Sequence, residues 1–238
     1  SPLRQGDFGR ADEIARQGMA ADEMDRYEGT AYREKMIVRI AIDQLRRNYD
    51  TALHGAEVLH RMIRQQQPED AGASLDWIVE IRAEAGDFAG AQSTLEQLRT
   101  ALKGRPLEDS AALAYAQGAV EFWRGNYPAA VAHLERADSI SDNFFYSVTL
   151  GRAYIQNGQL DRAVRRFEER LSSFDEARLF DPIGSTLIHY YLAQAYENSG
   201  WSQKAAEEYE KFLGLWHKAD ADLAEVADAR ARLMKLRS

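Results

Sequence analysis

Apolar and polar residues follow one another along this chain with the period of an amphipathic helix, in stretches of about fourteen residues. Each stretch ends at a glycine or asparagine, which favours the left-handed turn that closes a helix. An aromatic residue or leucine follows, and then a second helical stretch with a small residue where two helices would cross closely. Sustained period-two runs and Asn-Gly hairpins are absent from the sequence. The pattern therefore predicts an all-α chain built from helix pairs.

The helix-pair pattern recurs along the chain, as in repeat proteins, in which one pair cannot bury its apolar face alone. Two copies have matched positions 33 residues apart, with Gly118, Gly125, Tyr127 and Ala130 in one and Gly151, Gly158, Leu160 and Ala163 in the next. Pro128 falls at the first turn of a second helix, where its missing N–H costs nothing. We predict repeats near residues 1–27, 33–60, 72–100, 111–140, 144–171 and 186–216, an insertion around Ser172–Ile183, and a capping helix over 219–238.

The first helix of each pair, helix A, carries a small residue (Gly118, Gly151 or Ala193), followed three residues later by Tyr154 or Tyr196 in two copies. Together with the inter-helix glycine and the alanine and aromatic residue of the second helix, helix B, this pattern resembles the tetratricopeptide repeat (TPR). The resemblance covers nearly the whole chain. It implies a single right-handed superhelical solenoid of antiparallel helix pairs, with helix A lining a concave face.

Composition narrows the class of protein further. The 238 residues include 45% hydrophobic residues and no cysteine, so a folded core is expected and thiolate metal sites and disulfides are excluded. No apolar run approaches the ~18 residues of a membrane span, and the first residues lack the order of a signal peptide. We therefore expect a cytoplasmic protein outside the membrane.

Charge is distributed unevenly along the chain. The net charge is −8, and residues 66–150 supply −7 of it, with six Lys or Arg against thirteen Asp or Glu. An acidic surface repels phosphate backbones and anionic lipids, so neither nucleic acid nor a membrane surface is an expected partner. A basic or neutral protein segment is expected instead, because the acidic middle would attract it over a long range.

Residues that carry catalysis do not form a recognisable set. The five histidines lack metal-ligand spacing, and the chain has no nucleophile elbow, no phosphate-binding glycine loop and no dinucleotide fingerprint. Carboxylate pairs such as Glu168 and Glu169 fit a solvated helix face. We predict a non-catalytic protein without a metal or cofactor; an enzyme or small-molecule receptor would need a closed pocket with converging polar groups.

The TPR resemblance implies that partner contacts come from the exposed positions of helix A. Carried over position by position, the implied partner-binding residues are Asp76, Trp77, Glu80, Glu84, Tyr115, Trp123, Phe145, Arg152, Tyr190 and Gln194, and Tyr191 occupies a further such position. Asp76, Glu80 and Glu84 are four residues apart and share one side of a helix. The alternative interpretation is that the aromatic residues form inter-repeat core and the carboxylates a solvated face.

These observations support two functional hypotheses. The first is a non-catalytic protein-interaction scaffold that binds a partner segment in the concave groove. The second is a regulatory or sensory TPR region of a larger bacterial signalling protein.

Two features of the sequence motivate the second hypothesis. Only five residues precede Gly6, so the first helix A is expected to be nearly absent and the chain to continue upstream. The run from Tyr209 to Arg230 is also similar to the tail of repeat regions that follow a Ser/Thr kinase or winged-helix domain. The oligomeric state stays open.

Overall fold

The structure is a computed structural model that describes residues 1–24, 29–67, 72, 74–104, 107–172, 181–220 and 223–238. These ranges contain thirteen α-helices and no strand, which confirms the predicted all-α class. The helices are α1 (Pro2–Gln5), α2 (Phe8–Met24), α3 (Thr30–Leu45), α4 (Tyr49–Gln66), α5 (Leu75–Glu84), α6 (Phe88–Ala101), α7 (Leu107–Trp123), α8 (Tyr127–Ile140), α9 (Phe144–Gln156), α10 (Leu160–Ser172), α11 (Pro182–Asn198), α12 (Ser202–Leu215) and α13 (Ala224–Arg237). The predicted insertion falls mostly on residues 173–180, outside the described residues.

Helices A and B of each pair are joined by the same turn. Within the described ranges six such turns occur, and their left-handed residues are Gly6, Arg47, Gly86, Gly125, Gly158 and Gly200. In the third turn the N–H of Asp87 donates to the carbonyl of Arg82 at 2.9 Å, and the N–H of Gly86 donates to that of Ala83 at 3.1 Å. These two bonds satisfy carbonyls at the end of helix A in the pattern of a Schellman motif. Pro128 lies in the first turn of α8, as the sequence predicts.

The second turn departs from the glycine or asparagine that the sequence pattern predicts at a helix end. Its left-handed residue is Arg47, with a φ of 61°, and the asparagine that follows, Asn48, has a φ of −81°. A side chain with a Cβ is strained in this conformation, and the flanking helices hold it there.

We expect Arg47→Gly to raise the free energy of unfolding by about 0.5–1 kcal/mol, because relief of the left-handed strain exceeds the added entropy of the unfolded chain. Arg46→Gly is the matched control, since Arg46 has a φ of −80° and gains nothing from glycine. Urea unfolding of the two variants measures the difference. A loss of stability in Arg47→Gly would show that the arginine side chain contributes more than the strain costs.

The described residues group into two compact units. The N-terminal unit is Gly9–Ser141, and the C-terminal unit combines Ser1–Phe8 with Asp142–Ser238. The repeat pattern in the sequence predicts one array, and it gives no indication that residues 1–8 belong with residues 142–238. The core of the N-terminal unit contains the apolar sides of α3 to α7; its members include Met36, Ile40, Leu59, Ile78, Val79, Leu95 and Leu98.

Close helix crossings within a pair depend on glycine. A Cβ added to Gly118 would lie 2.6 Å from Cγ of Leu134, and one added to Gly151 would lie 2.4 Å from Cζ of Phe167. Leu134 and Phe167 are both fully buried on the facing helix B. The small residue of helix A therefore leaves room for the large residue of helix B.

The last helix is attached to the C-terminal unit by a polar network as well as by Val226 and Ala229, which are fully buried. Arg232 donates to Glu197 at 3.0 Å and to Asp228 at 2.6 Å. The same two carboxylates accept hydrogen bonds from tyrosine hydroxyls, Glu197 from Tyr209 at 2.9 Å and Asp228 from Tyr190 at 2.7 Å. Burial, followed by these hydrogen bonds, raises the pKa of both tyrosines, so they remain protonated donors.

Asp181 caps the N-terminus of α11, where its Oδ1 accepts the N–H of Gly184 at 2.9 Å. Burial raises the pKa of this carboxyl from 3.8 to about 6, against the lowering effect of the backbone hydrogen bonds from Gly184 and Ile183. Since the folded state binds the Asp181 proton more tightly than the unfolded state, the contribution of Asp181 to stability is complete below pH 4 and is lost as the pH rises through 6. The difference between the two pKa values corresponds to about 3 kcal/mol in the free energy of unfolding.

Asp181→Asn is therefore expected to match the wild type near pH 4 and to exceed its stability by about 1–3 kcal/mol at pH 7, because asparagine caps the helix without becoming charged. Urea unfolding at a series of pH values measures this difference. Asp87→Asn is the comparison at the exposed cap of α6. Its Oδ1 accepts the N–H of Gly90 at 2.9 Å and its Oδ2 pairs with Arg82 at 3.1 Å, so this variant is expected to gain no stability at pH 7. A variant less stable than the wild type at pH 7 would contradict the assignment.

Candidate functional site

In the N-terminal unit, a hydrogen-bonded chain connects two neighbouring A helices. Nε1 of Trp77 on α5 donates to Oε1 of Gln44 on α3 at 2.7 Å, and Nε2 of Gln44 donates to Oε2 of Glu84 at 2.7 Å. The Gln44 amide therefore fixes both the indole ring and the carboxylate. Sequence reasoning names Trp77 and Glu84 but misses Gln44, because no motif marks a residue whose partners lie 33 and 40 residues away.

Asp76, Glu80 and Glu84 lie along one side of α5, each partly exposed, and we call them the acidic stripe. Carboxylates four residues apart repel one another and reduce the stability of a helix. Arg82, the basic residue of α5, pairs with Glu57 at 2.9 Å and with Asp87 at 3.1 Å. The stripe concentrates negative charge beside Trp77.

The structure separates the predicted aromatic residues of this unit into buried and accessible ones. Tyr115 is 3% exposed and belongs to the core, so its ring is not available to a partner. Trp77 and Trp123 pack against the core but keep part of their surface accessible. The Trp123 ring also meets that of Phe122 edge to face at 5.2 Å. Two of the three predicted aromatic residues are thus placed where a partner can reach them.

The C-terminal unit presents a different helix A surface. Phe145 on α9 is 57% exposed. The guanidinium of Arg152 lies 5.0 Å from the centre of the Tyr191 ring, a cation–π arrangement, and Gln194 on α11 is half-buried. Tyr190 is 7% exposed and packs its ring 5.4 Å from that of Phe212, so it belongs to the core. Of the two neighbouring tyrosines, Tyr191 is the accessible one.

A second polar cluster on α11 and α12 has no sequence signal of its own. Nδ1 of His189 lies 2.6 Å from Oε2 of Glu208, and Nζ of Lys211 donates to Oε1 at 2.6 Å. Burial would raise the pKa of Glu208, but the hydrogen bonds from His189 and Lys211 outweigh it and lower that pKa. The cluster joins helix A to helix B of one pair, and its geometry fits a structural role.

The surface grooves of the C-terminal unit are open and lie away from the predicted residues. One groove of about 360 Å³ is lined by Leu213, Arg230, Leu233, Met234, Arg237 and Ser238, and one of about 450 Å³ is lined by residues 200–204. Among the residues that the structure describes, no group of three His, Cys, Asp or Glu side chains could hold a metal ion. Of the helices in these ranges, none is long and apolar enough to cross a bilayer.

Comparison with known proteins bears on the fold. No protein-family model matches the chain, and the search of curated proteins finds no match. Among solved structures, TTC0263, a thermophilic TPR protein of Thermus thermophilus, is 22% identical, with a TM-score of 0.53 over 78% of this chain and 91% of its own. A MamA RS-1 ArsTM double mutant is 22% identical, with a TM-score of 0.45 over 80% of this chain and 98% of its own. The similarity of the tail to bacterial signalling proteins stays a prediction. The repeated helix pairs and the likeness to TTC0263 give this chain the TPR-like solenoid fold that its sequence predicts.

Proposed function

We propose that this chain is a non-catalytic protein-interaction scaffold that binds a basic or neutral segment of a partner protein on the helix A surface of its N-terminal unit. The observation that carries the proposal is the acidic stripe on α5 next to the partly exposed Trp77. Tryptophan is among the residue types enriched in interaction hot spots, and the carboxylates beside it would attract a basic segment.

The contacts of the stripe favour binding in two ways. Carboxylates accept strong, charge-assisted hydrogen bonds from lysine and arginine. Because Gln44 already holds Glu84 and Trp77, less side-chain entropy is lost when a partner binds. The excess negative charge of residues 66–150 would increase the association rate of such a partner.

The helix A surface of the C-terminal unit supports the same function with a different chemistry. Phe145 offers an exposed apolar ring, and the Arg152–Tyr191 pair offers a flat surface with a positive charge. A segment with an apolar or aromatic side chain suits this surface. The scaffold would then hold two kinds of segment, a basic one on the N-terminal unit and an apolar one on the C-terminal unit.

Affinity capture from host lysate tests the acidic stripe. The test variant is Asp76→Asn, Glu80→Gln, Glu84→Gln, and the control variant is Asp50→Asn, Glu96→Gln, Glu135→Gln, which removes three carboxylates from the B helices α4, α6 and α8. Both change the net charge equally. We expect the test variant to capture at least about tenfold less of the basic partner than the wild type, which corresponds to a loss of about 1.4 kcal/mol of binding free energy. The control variant is expected to capture as much as the wild type. Circular dichroism checks that both stay helical. Equal capture by the two variants would refute the stripe as the binding surface.

For the C-terminal unit, Phe145→Ala is compared with Leu215→Ala, which removes apolar surface from a residue that is 42% exposed on helix B. We expect only Phe145→Ala to reduce capture of the apolar partner, because Phe145 lies on helix A. If both variants bind alike, the Phe145 surface takes no part in the interaction.

The finer assignments rest on the same proposal. A cytoplasmic location and a regulatory role in a bacterial signalling protein would be consistent with a scaffold whose ligand is a segment of its parent chain. The reading frame upstream of Ser1 tests the regulatory role directly. A Ser/Thr kinase or winged-helix domain upstream of Ser1 would support the regulatory role, and an unrelated upstream sequence would contradict it.

A further inference from the structure

The first eight residues of the chain dock at the end of α12 in the C-terminal unit. The Phe8 ring is 1% exposed and meets the ring of Trp216 edge to face, with 5.0 Å between centres. Trp216 is itself fully buried, and the centre of its ring lies 5.0 Å from that of Phe212. Phe8 therefore completes an aromatic cluster whose other members lie more than 200 residues away in the sequence.

Backbone and polar contacts fix the register of this segment. The N–H of Lys218 donates to the carbonyl of Gln5 at 3.0 Å, and Nζ of Lys218 donates to Oε1 of Gln5 at 2.8 Å. Gly6 has a φ of 76°, and a Cβ on it would lie 2.9 Å from Cβ of Ala219 and 3.1 Å from Cβ of Trp216. The end of α12 thus accepts a glycine in the left-handed conformation, followed two residues later by an aromatic ring.

The sequence Gly6-Asp7-Phe8 occurs a second time in the chain, as Gly86-Asp87-Phe88. Gly86 has a φ of 81°, and its turn has the same backbone hydrogen bonds as the turn at Gly6. A Cβ on Gly86, however, would meet nothing within 4 Å. The turn geometry is common to both sites, but the close approach of a second surface is found only at Gly6.

We propose that Phe212, Trp216, Lys218 and Ala219 form a recognition site for a helix-ending Gly-Asp-Phe turn, and that the chain's own Ser1–Phe8 segment is the ligand of this site. The site is distinct from the helix A surfaces and does not depend on the function proposed for them. The segment contributes one aromatic ring, two hydrogen bonds and one glycine packed against a helix end, and α1 also packs against α11. A ligand of this size binds weakly as a separate peptide, and its covalent connection to the site supplies a high effective concentration.

The test uses the full chain with its own ligand weakened. In Phe8→Ala, loss of the ring exposes Trp216, and we expect amide hydrogen exchange over residues 212–219 to become at least about tenfold faster. A peptide of residues 1–12, added at about 1 mM, is expected to restore most of the protection. The same peptide with Gly6→Ala and Phe8→Ala is expected to restore none.

Two glycine variants supply the matched control. Gly6→Ala and Gly86→Ala both force alanine into a left-handed turn, but only Gly6→Ala meets Ala219 and Trp216. We expect Gly6→Ala alone to increase exchange over residues 212–219, with the peptide restoring protection. Unchanged exchange in Phe8→Ala, or equal effects of the two glycine variants at these residues, would overturn the proposal. Should Phe8→Ala unfold the C-terminal unit, Phe8→Leu replaces it in the peptide experiment, and failure of the wild-type peptide to restore protection there would refute the site.

Discussion

Replacement of Phe167 by alanine is expected to lower the free energy of unfolding of the C-terminal unit by about 3–5 kcal/mol. The Phe167 side chain is fully buried on α10, where its ring stacks on that of Tyr191 at 6.2 Å and faces the backbone of Gly151. Since the ring fills the crossing between helix A and helix B, its removal leaves a cavity that the rigid helices cannot close. Urea unfolding followed by circular dichroism measures the loss.

The position facing Phe167 provides the test of this mechanism. A Cβ on Gly151 would lie 2.4 Å from Cζ and 2.6 Å from Cε1 of the ring, so Gly151→Ala is expected to destabilise by about 1–3 kcal/mol. In a Phe167→Leu background the cost is expected to fall, because leucine has no atom in the place of Cζ. Gly214→Ala, at a helical glycine with no neighbour within 4 Å, is the control and is expected to stabilise by about 0.5–1 kcal/mol. Additive effects of Gly151→Ala and Phe167→Leu would contradict a direct contact between the two positions.

Loss of Arg232 is expected to cause the next largest decrease in the free energy of unfolding. In Arg232→Met, the carboxylates of Glu197 and Asp228 lose their shared cation and repel each other near two buried tyrosine rings. Burial alone would lower the pKa of Arg232, but its hydrogen bonds to Glu197 and Asp228 raise it, so the guanidinium is charged throughout. Breaking a buried pair costs about 3–5 kcal/mol, and screening reduces this to about 1–3 kcal/mol here, because the Arg232 side chain is 35% exposed.

Arg230→Met is the matched control, because Arg230 lies on the same helix but is exposed. We expect its unfolding free energy to stay within about 0.5 kcal/mol of the wild type. The double variant Asp228→Asn, Arg232→Met removes one of the two uncompensated charges and is expected to regain part of the loss. Equal stability of Arg230→Met and Arg232→Met would mean that the network does not hold α13 in place.

Helix periodicity and turn residues were sufficient to predict the fold, since each depends on local sequence. A glycine in the left-handed conformation ends five of the six A helices in the described ranges. The left-handed conformation of Arg47 could not be predicted, because the packed helices impose it on a residue that does not favour it. Residue types alone do not show this kind of strain.

The candidate site was harder to predict than the fold because exposure depends on the orientation of a side chain about its helix. Consecutive residues differ by about 100° around a helix axis, so Tyr190 and Tyr191 point in different directions and only Tyr191 reaches the surface. Tyr115 was placed on the surface by analogy of position and is buried by its neighbours. Gln44 and Phe8 were missed because their partners are distant in the sequence.

The discontinuous C-terminal unit also has a consequence for protein synthesis. Trp216 is added 208 residues after Phe8, which at about 5–20 residues per second is a delay of about 10–40 s. During this interval the Phe8 ring of the nascent chain lacks its aromatic partner, while Gly9–Ser141 has time to fold. Chaperones that bind apolar segments would therefore have access to residues 1–8 while most of the following residues are being translated, and the C-terminal unit reaches its final form only after Trp216 has been synthesised.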